Sequence, residues 1–568
     1  MKINRIATDI LIIGTGSAGL WAGYRASELA PEAQITLVDK GPRDWGGLMT
    51  MAGGDFEAVL DPDTVDQWIQ DFVYYFDGLC DQKLMEEILT RSRDRLADYE
   101  RFGCEFFRME DGKRKFVRQR GLDHVKLYPA QLKGRGGELM VKNLVSQLKQ
   151  RKVQCLGRIM LTEFLQQDGQ VCGALGFDAI TGEAYRFDAR VVIAASGMGG
   201  WKTSYGKNTP TGETMQMAWE AGAHLQNMEF ARVWNMPRLF GWEGQTVLMP
   251  LGARFVNRNG ESFMERYSPV LGANTDPHYT TIAMAMEIRA GRGPITFDLS
   301  RIKQENLILL RPQNGWQKLN YDKLSALGLG LDLFRDSTEW VPQMTVSYGG
   351  MQATAWGETA VPGLLAAGTA RATEPGVYAG GFALMSTSVL GHMAGEKAAE
   401  LLQSLPRVTA ECDEERHFAS TFAPLGREGL TPKEVLTRIQ SVVFPYDVSI
   451  LKNEQALSRA LKELVRIREE DVPAMAAADP HYLLKLIETK AVAFVSEMYV
   501  RASLERRETR AGHYREDYPT RNENDLAWLC LKRNGSDTDP EFYRVPVPLD
   551  EYRFPVTRYY QDNFNFSE

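Results

Sequence analysis

Ile10-Leu11-Ile12-Ile13-Gly14-Thr15-Gly16-Ser17-Ala18-Gly19-Leu20 is an apolar run that turns into three glycines spaced G-x-G-x-x-G. A second stretch follows far along the chain, Val191-Val192-Ile193-Ala194-Ala195-Ser196-Gly197-Met198-Gly199-Gly200, and then Thr211-Gly212-Glu213. Together they predict a dinucleotide site built in two visits of the chain to one sheet. Gly14 permits the tight turn, Gly16 lets backbone approach a pyrophosphate, and Gly19 lets the following helix pack on the strand. The N–H groups that open that helix then face the phosphates. Asp39 ends the apolar run Ile35-Thr36-Leu37-Val38, at the distance where an acid hydrogen-bonds a ribose. A lone glycine fingerprint is also compatible with a simple packing turn. Here it follows a strand, opens a helix and has its acid in place.

Composition narrows the class. A chain of 568 residues is too long for one core. A net charge of −8 argues against a nucleic-acid surface. Met1-Lys2-Ile3-Asn4-Arg5 carries no long apolar run, and no stretch reaches membrane-spanning length. These features predict a cytoplasmic chain without a direct membrane span. The cysteines, Cys80, Cys104, Cys155, Cys172, Cys412 and Cys530, form no C-x-x-C pair. Neither a zinc site nor an iron–sulfur cluster, nor any other metal site, is expected in the chain itself.

The pattern along the chain predicts helices near 64–76 and 82–102 and another opening at Arg135-Gly136-Gly137-Glu138. Three short strands are expected between 157 and 187, with turns at Asp168-Gly169 and Thr181-Gly182. A polar helical region is expected over 406–506, with Leu457, Leu461, Leu464 and Ile467 on one face. The Pro- and aromatic-rich tail from Asp537 reads as extended, and Tyr and Phe there suit an interface.

Further motifs carry a resemblance. Gly53-Gly54 closes a segment like S-H-T-x-A-A-Q-G-G, and Ala221–Phe230 is similar to A-G-A-x-L-x-D-M-E-F. Phe255–Tyr267 is similar to L-x-N-x-x-G-E-R-F-M-E-R-Y, and Gly363–Gly368 to G-L-Y-A-A-G. Glu508-Thr509-Arg510-Ala511-Gly512-His513-Tyr514-Arg515-Glu516-Asp517-Tyr518-Pro519 is close to E-S-R-G-A-H-x-R-E-D-Y-P. In this ordered set the chain resembles the flavoprotein subunits of succinate dehydrogenase and fumarate reductase and their relative adenylylsulfate reductase. Gly293-Pro294-Ile295-Thr296-Phe297-Asp298 leans toward the adenylylsulfate reductase alpha-subunit branch.

The resemblance implies an α/β fold: a two-visit, Rossmann-like FAD-binding domain with an inserted α+β capping domain and a C-terminal helical domain. The expected units are 1–236 and 349–405 for FAD, 237–348 for the cap, 406–520 for the helices and 521–568 for the tail. It implies FAD contacts from Gly14, Gly16, Ser17, Ala18 and Gly19, from Asp39 and Lys40, and from Gly46, Gly47, Gly53 and Gly54. It implies others from Ala195, Ser196, Gly197, Thr211 and Gly212, and from Gly368, Ala383 and Leu384.

Departures from the family pattern are as informative. The histidine that bonds covalently to flavin in succinate dehydrogenases falls at Gly47, so the FAD is expected to be non-covalent. The groups that hold dicarboxylates fall at Trp234, Thr345 and Tyr378, and no arginine lies between Thr246 and Gly252, where the cap's proton-delivering arginine is expected. A buried dicarboxylate without cationic partners is strongly disfavoured. Trp45, Trp234, Tyr348 and Tyr378 make a neutral, aromatic pocket, suited to a flat or apolar small-molecule substrate. Tyr378, Trp234 and Tyr348 are the candidate catalytic residues, with packing as the competing role of each ring. Arg232, Arg238 and Arg371 could hold an anion or be structural, and His124, His392 and His513 are the histidines of interest. With no second nucleotide fingerprint and no cluster, a ferredoxin-like iron–sulfur subunit is the expected electron partner. The alternative is an electron-transfer subunit of a larger redox complex, with no small-molecule substrate of its own.

Overall fold

The computed structural model describes residues 2–43, 46–130, 137–203, 208–238, 249, 251–303, 339–373, 376–377, 379–535 and 539–565. Ile10–Ile13 forms the middle strand of a five-stranded parallel sheet. Ile35–Asp39 and then Gln154–Gly157 lie on one side of it, Val191–Ala194 and then Leu364–Ala366 on the other. Ile10, Leu11, Ile12, Val191, Val192 and Ile193 are fully buried, as expected where helices or loops cover both faces of a parallel sheet. The second apolar stretch therefore returns beside the first, Val191 opposite Ile10 and Ala194 opposite Ile13.

Helix Ser17–Leu29 starts directly at the fingerprint with Gly16 as its N-cap. Helix Phe382–Ser404 packs along it at backbone distance. A Cβ on Gly391 would lie 2.3 Å from the Ala18 carbonyl oxygen, and one on Gly395 would lie 2.3 Å from that of Ala22. Glycines four residues apart share a helix face, and only they allow so close an approach.

The predicted strands form a second sheet, Ile159–Gln167, Gln170–Asp178 and Ala184–Asp188, closed by Ile3–Ala7. Its first hairpin turns through Asp168 and Gly169, both at positive φ (52° and 78°), the conformation that suits a two-residue loop. The predicted helices form as Val65–Tyr75, Gln82–Arg101 and Glu138–Gln150. Beyond the nucleotide sheet, Ala231–Pro237 pairs with Trp340–Ser347, and Arg254–Val256 with Thr296–Asp298. Helix Pro277–Arg289 starts with Asp276 as N-cap and proline at its first position, a favourable start signal.

In the C-terminal region, helix Glu454–Arg466 buries Leu457 and Leu464, and Ile467 follows on the same face. Helix Pro480–Glu505 is buried along most of its length and presses Val495 against Gly199 and Gly212. The tail differs in part from a simple extended interface. Pro540–Pro546 pairs with Ala527–Arg533, Tyr560 is fully buried, and Phe564 stacks on Tyr279 with ring centroids 3.9 Å apart. Aromatic side chains gain more from burial in this chain's own core than from solvent. Among the described residues, no helix is long and apolar enough to cross a membrane.

Candidate functional site

The fingerprint glycines divide into two kinds. A Cβ on Gly19 would lie 1.9 Å from the Gly14 carbonyl oxygen, and one on Gly14 would lie 2.5 Å from that of Ala195. These two are glycine because backbone fills the space. A Cβ on Gly16 would meet only the Gly47 Cα, at 3.5 Å. Its outer side is left open, beside helix N–H groups that no side chain caps. That combination fits a pyrophosphate: close backbone approach, unpaired donors and the positive end of a helix dipole.

The loop after the second strand closes over this turn. A Cβ on Gly47, at φ +72°, would lie 2.7 Å from the Gly16 Cα, and one on Gly46 would lie 1.9 Å from Thr15 Oγ1. Gly53 and Gly54 follow, the latter buried with φ +89°. Asp39 is engaged differently from a simple ribose contact. One carboxylate oxygen accepts from the Thr15 N–H (2.7 Å) and hydroxyl (2.9 Å), and the other from the Gly41 N–H (2.7 Å). It braces the phosphate turn, with lone pairs left for a hydroxyl. Lys40 also has local partners. Its ammonium donates to Thr211 Oγ1 (2.8 Å), pairs with Glu213, and lies 2.8 Å from Glu488. Burial alone would lower its pKa, but the two carboxylates outweigh it and hold it above the ordinary lysine value.

The other expected cofactor residues surround the same turn. Ala195 and Ser196 abut Gly14, and Gly197, at φ +85°, has only Thr369 Oγ1 near its absent side chain, at 3.8 Å. Gly212 caps helix Glu213–Glu220 in the left-handed region. A Cβ on Gly368 would lie 2.6 Å from that of Ala18. Ser17 hydrogen-bonds Ser388 (3.2 Å), and the carbonyls of Ala383 and Leu384 accept from Thr387 and Ser388.

Of the expected substrate-side residues, Trp234 is buried on its strand with the Arg232 guanidinium 4.6 Å from its ring centroid. Tyr348 is buried and its N–H donates to the Phe230 carbonyl (3.0 Å). The Thr345 hydroxyl donates to the Arg232 carbonyl (3.1 Å). Tyr378 and Trp45 lie outside the described residues, as does most of 246–252. Arg371 is structural: buried, it donates to the carbonyls of Ala353, Thr354 and Ala355, and burial lowers its pKa to about 10. Arg238 makes an ion pair with Glu339. His124 lies 3.3 Å from Asp71, and buried His392 packs against Trp21.

A cluster at the start of helix Pro277–Arg289 was not legible in the sequence. The Tyr75 hydroxyl donates to Asp276, whose other oxygen accepts from the His278 N–H (2.6 Å). Tyr560 sits beside Asp276, with its hydroxyl 3.1 Å from the Asp276 nitrogen. Burial, opposed by those hydrogen bonds and by Arg120 and Arg232, raises Asp276 to about 6. Burial, with Lys452 nearby, lowers His278 to about 4, so its imidazole is neutral at pH 7. Only the Asp276-Pro277 helix start was a local signal.

The motif at 508–519 is a buried charge network that ties the helical region to the nucleotide domain. Arg506 lies 2.6 Å from Glu229 and 2.8 Å from Glu508, Arg510 lies 3.0 Å from Glu508, and Arg515 lies 2.7 Å from Asp517. Lys452 donates to the Glu229 carbonyl (2.9 Å) and lies 3.0 Å from His513 Nδ1. Burial and its cationic neighbours hold His513 well below the ordinary histidine value, so it braces the interior as a neutral ring.

Comparison with known proteins agrees with this geometry. A profile described as an FAD binding domain matches residues 9–389, and one described as fumarate reductase flavoprotein C-term matches residues 440–560. One subunit of the Methanothermobacter marburgensis fumarate reductase (CoM/CoB) is 29% identical over 545 residues, covering 91% of this chain and 96% of that protein. The E. coli quinol fumarate reductase flavoprotein superposes with a TM-score of 0.85 at 21% identity, covering 98% of this chain and 99% of that one. Archaeoglobus fulgidus adenylylsulfate reductase superposes with a TM-score of 0.79 at 20% identity, covering 96% of each chain. The chain therefore belongs to the FAD-dependent oxidoreductase family of fumarate reductase and succinate dehydrogenase flavoproteins.

Proposed function

We propose that the protein binds FAD non-covalently and oxidises or reduces a flat, non-dicarboxylate substrate, exchanging electrons with a ferredoxin-like iron–sulfur subunit. Bound FAD supplies hydride transfer at N5. Gly14, Gly16 and the start of helix Ser17–Leu29 would hold its pyrophosphate, with Gly46, Gly47, Gly197 and Gly368 lining the rest. Non-covalent attachment is supported by Gly47, where close packing on Gly16 excludes a side chain. The division into an FAD domain (1–236 and 349–405), a cap (237–348), a helical domain (406–520) and a tail (521–568) belongs to the same proposal.

One observation carries the substrate reading. At the positions of the family's dicarboxylate-holding groups, Thr345 donates its hydroxyl to backbone and Trp234 presents a buried ring. Neither supplies the charge-assisted hydrogen bond that a buried carboxylate requires. The proton-handling roles of Trp234, Tyr348 and Tyr378 belong to this proposal, with the Tyr378 phenol the best suited of the three. The iron–sulfur partner is supported by the absence of any His/Cys/Asp/Glu metal cluster among the described residues.

The test is anaerobic. Photoreduced holoprotein is mixed with fumarate, and oxidised holoprotein with succinate, while the flavin absorbance is followed. No flavin turnover is expected on the scale of about 1–1000 per second. Turnover in that range with either would overturn the reading and favour a dicarboxylate enzyme. Acid precipitation should release all yellow colour; colour left on the denatured protein would exclude non-covalent FAD.

A further inference from the structure

We infer that Arg120 is the anion-binding residue of the substrate pocket, and that the substrate carries a single planar oxyanion, in its simplest form a monocarboxylate. The inference rests on the non-dicarboxylate reading above and deepens it.

Arg120 follows strand Val117–Arg118 on a segment held from both sides. On one side, Gln119 accepts from the Gly380 N–H (3.0 Å), immediately before helix Phe382–Ser404. On the other, a Cβ on Gly121 would lie 2.9 Å from the Tyr560 hydroxyl. Arg120 thus lies between the start of that helix and the Asp276 cluster.

Its guanidinium has no partner to match this position. Among the described residues it makes no hydrogen bond and no ion pair, although Asp276, Tyr75 and Tyr560 are close enough to act on its charge. Asp276 does not neutralise it by contact, since its oxygens accept from Tyr75 and the His278 N–H. A desolvated, unpaired arginine is costly, and burial lowers its pKa. The half-buried side chain keeps its fork of donors open. That fork matches a carboxylate or a similar planar oxyanion in bidentate geometry.

A second unfilled group lies at the same helix start. His278 is buried, and its Nε2 has no hydrogen-bond partner. Such orphaned polar atoms are rare in finished interiors and mark places completed by a ligand or water. Tyr75, Tyr560 and the Trp234 ring supply flat walls nearby. One open guanidinium with aromatic surroundings fits one negative group on a flat body.

The test uses holoprotein and calorimetric titration with acetate, crotonate, benzoate and cinnamate, each against its neutral amide, and with fumarate. At least one monocarboxylate should bind tenfold or more tightly than its amide. Arg120→Gln should weaken that acid at least tenfold and leave the amide unchanged, whereas Arg120→Lys should retain part of the preference. Flavin content reports folding of both variants, and Arg120→Lys serves if Arg120→Gln does not fold. Equal binding of every acid and its amide to the wild-type protein would overturn the inference. So would acid binding unaffected by either substitution. Fumarate binding more tightly than every monocarboxylate would instead overturn the non-dicarboxylate reading itself.

Discussion

Lys40 Nζ lies 2.8 Å from the Glu488 carboxylate, joining the end of the second nucleotide strand to the middle of helix Pro480–Glu505. Glu488 also receives Lys202 at 2.5 Å and Lys485 at 3.1 Å. Burial alone would push its pKa up, but the three lysines hold it well below the carboxylate range. The ion pair fastens the helical region to the cofactor sheet at a point where both chains are largely shielded from water.

Lys40→Met removes this junction and leaves Glu213 and Glu488 short of a cation. Breaking a buried pair costs about 3–5 kcal/mol, and the low end applies because Lys202 and Lys485 remain. The urea midpoint at saturating FAD should fall accordingly. A loss below about 1 kcal/mol would show that the pair behaves like an exposed one.

The two kinds of fingerprint glycine should respond differently to alanine. Gly19→Ala places a methyl 1.9 Å from the Gly14 carbonyl oxygen, so strand and helix must separate. Folded yield and thermal stability should both drop. Gly16→Ala meets only the Gly47 Cα at 3.5 Å, so the apoprotein should fold normally while its affinity for FAD falls at least tenfold. Circular dichroism of apoprotein and flavin titration separate the two outcomes. Unchanged FAD affinity in Gly16→Ala would show that the pyrophosphate lies elsewhere.

Acid should loosen the region around helix Pro277–Arg289 through Glu287. Burial alone would raise its pKa, but hydrogen bonds from Arg292, Asn257 and Tyr267 outweigh it and lower it from 4.5 to about 2. A depressed carboxylate pKa stabilises the fold above the unfolded value, and that stabilisation is lost as pH falls through 4.5 toward about 2. Its size at pH 7 is about 2–3 kcal/mol. Glu287→Gln should be less stable at neutral pH, and its stability should fall less between pH 5 and pH 3. Parallel wild-type and variant curves over that range would rule out this assignment.

Tyr378→Phe tests the proposed proton transfer without removing the ring. General acid–base catalysis is worth about a hundredfold to ten-thousandfold. Flavin content should stay normal while turnover of the natural substrate falls at least tenfold. Wild-type turnover would assign the phenol to packing.

What the sequence determined is what short-range chemistry encodes. Gly14, Gly16 and Gly19 fix a turn within six residues, and Asp168-Gly169 fixes a hairpin within two, because backbone conformations open mainly to glycine leave few alternatives. The apolar runs 10–13 and 191–194 identified the parallel sheet because strands buried on both faces must be apolar throughout. The tertiary structure decided everything that depends on charges brought together from distant segments. Lys40 carries no local mark of Glu488, and Arg120 none of Asp276, Tyr75 or Tyr560. Tyr560 reads as an exposed interface residue in the sequence, and only the folding back of the tail buries it. Whether a guanidinium is paired or open depends on which oxygens come within about 3 Å of it, and that distance is set by packing rather than by spacing along the chain.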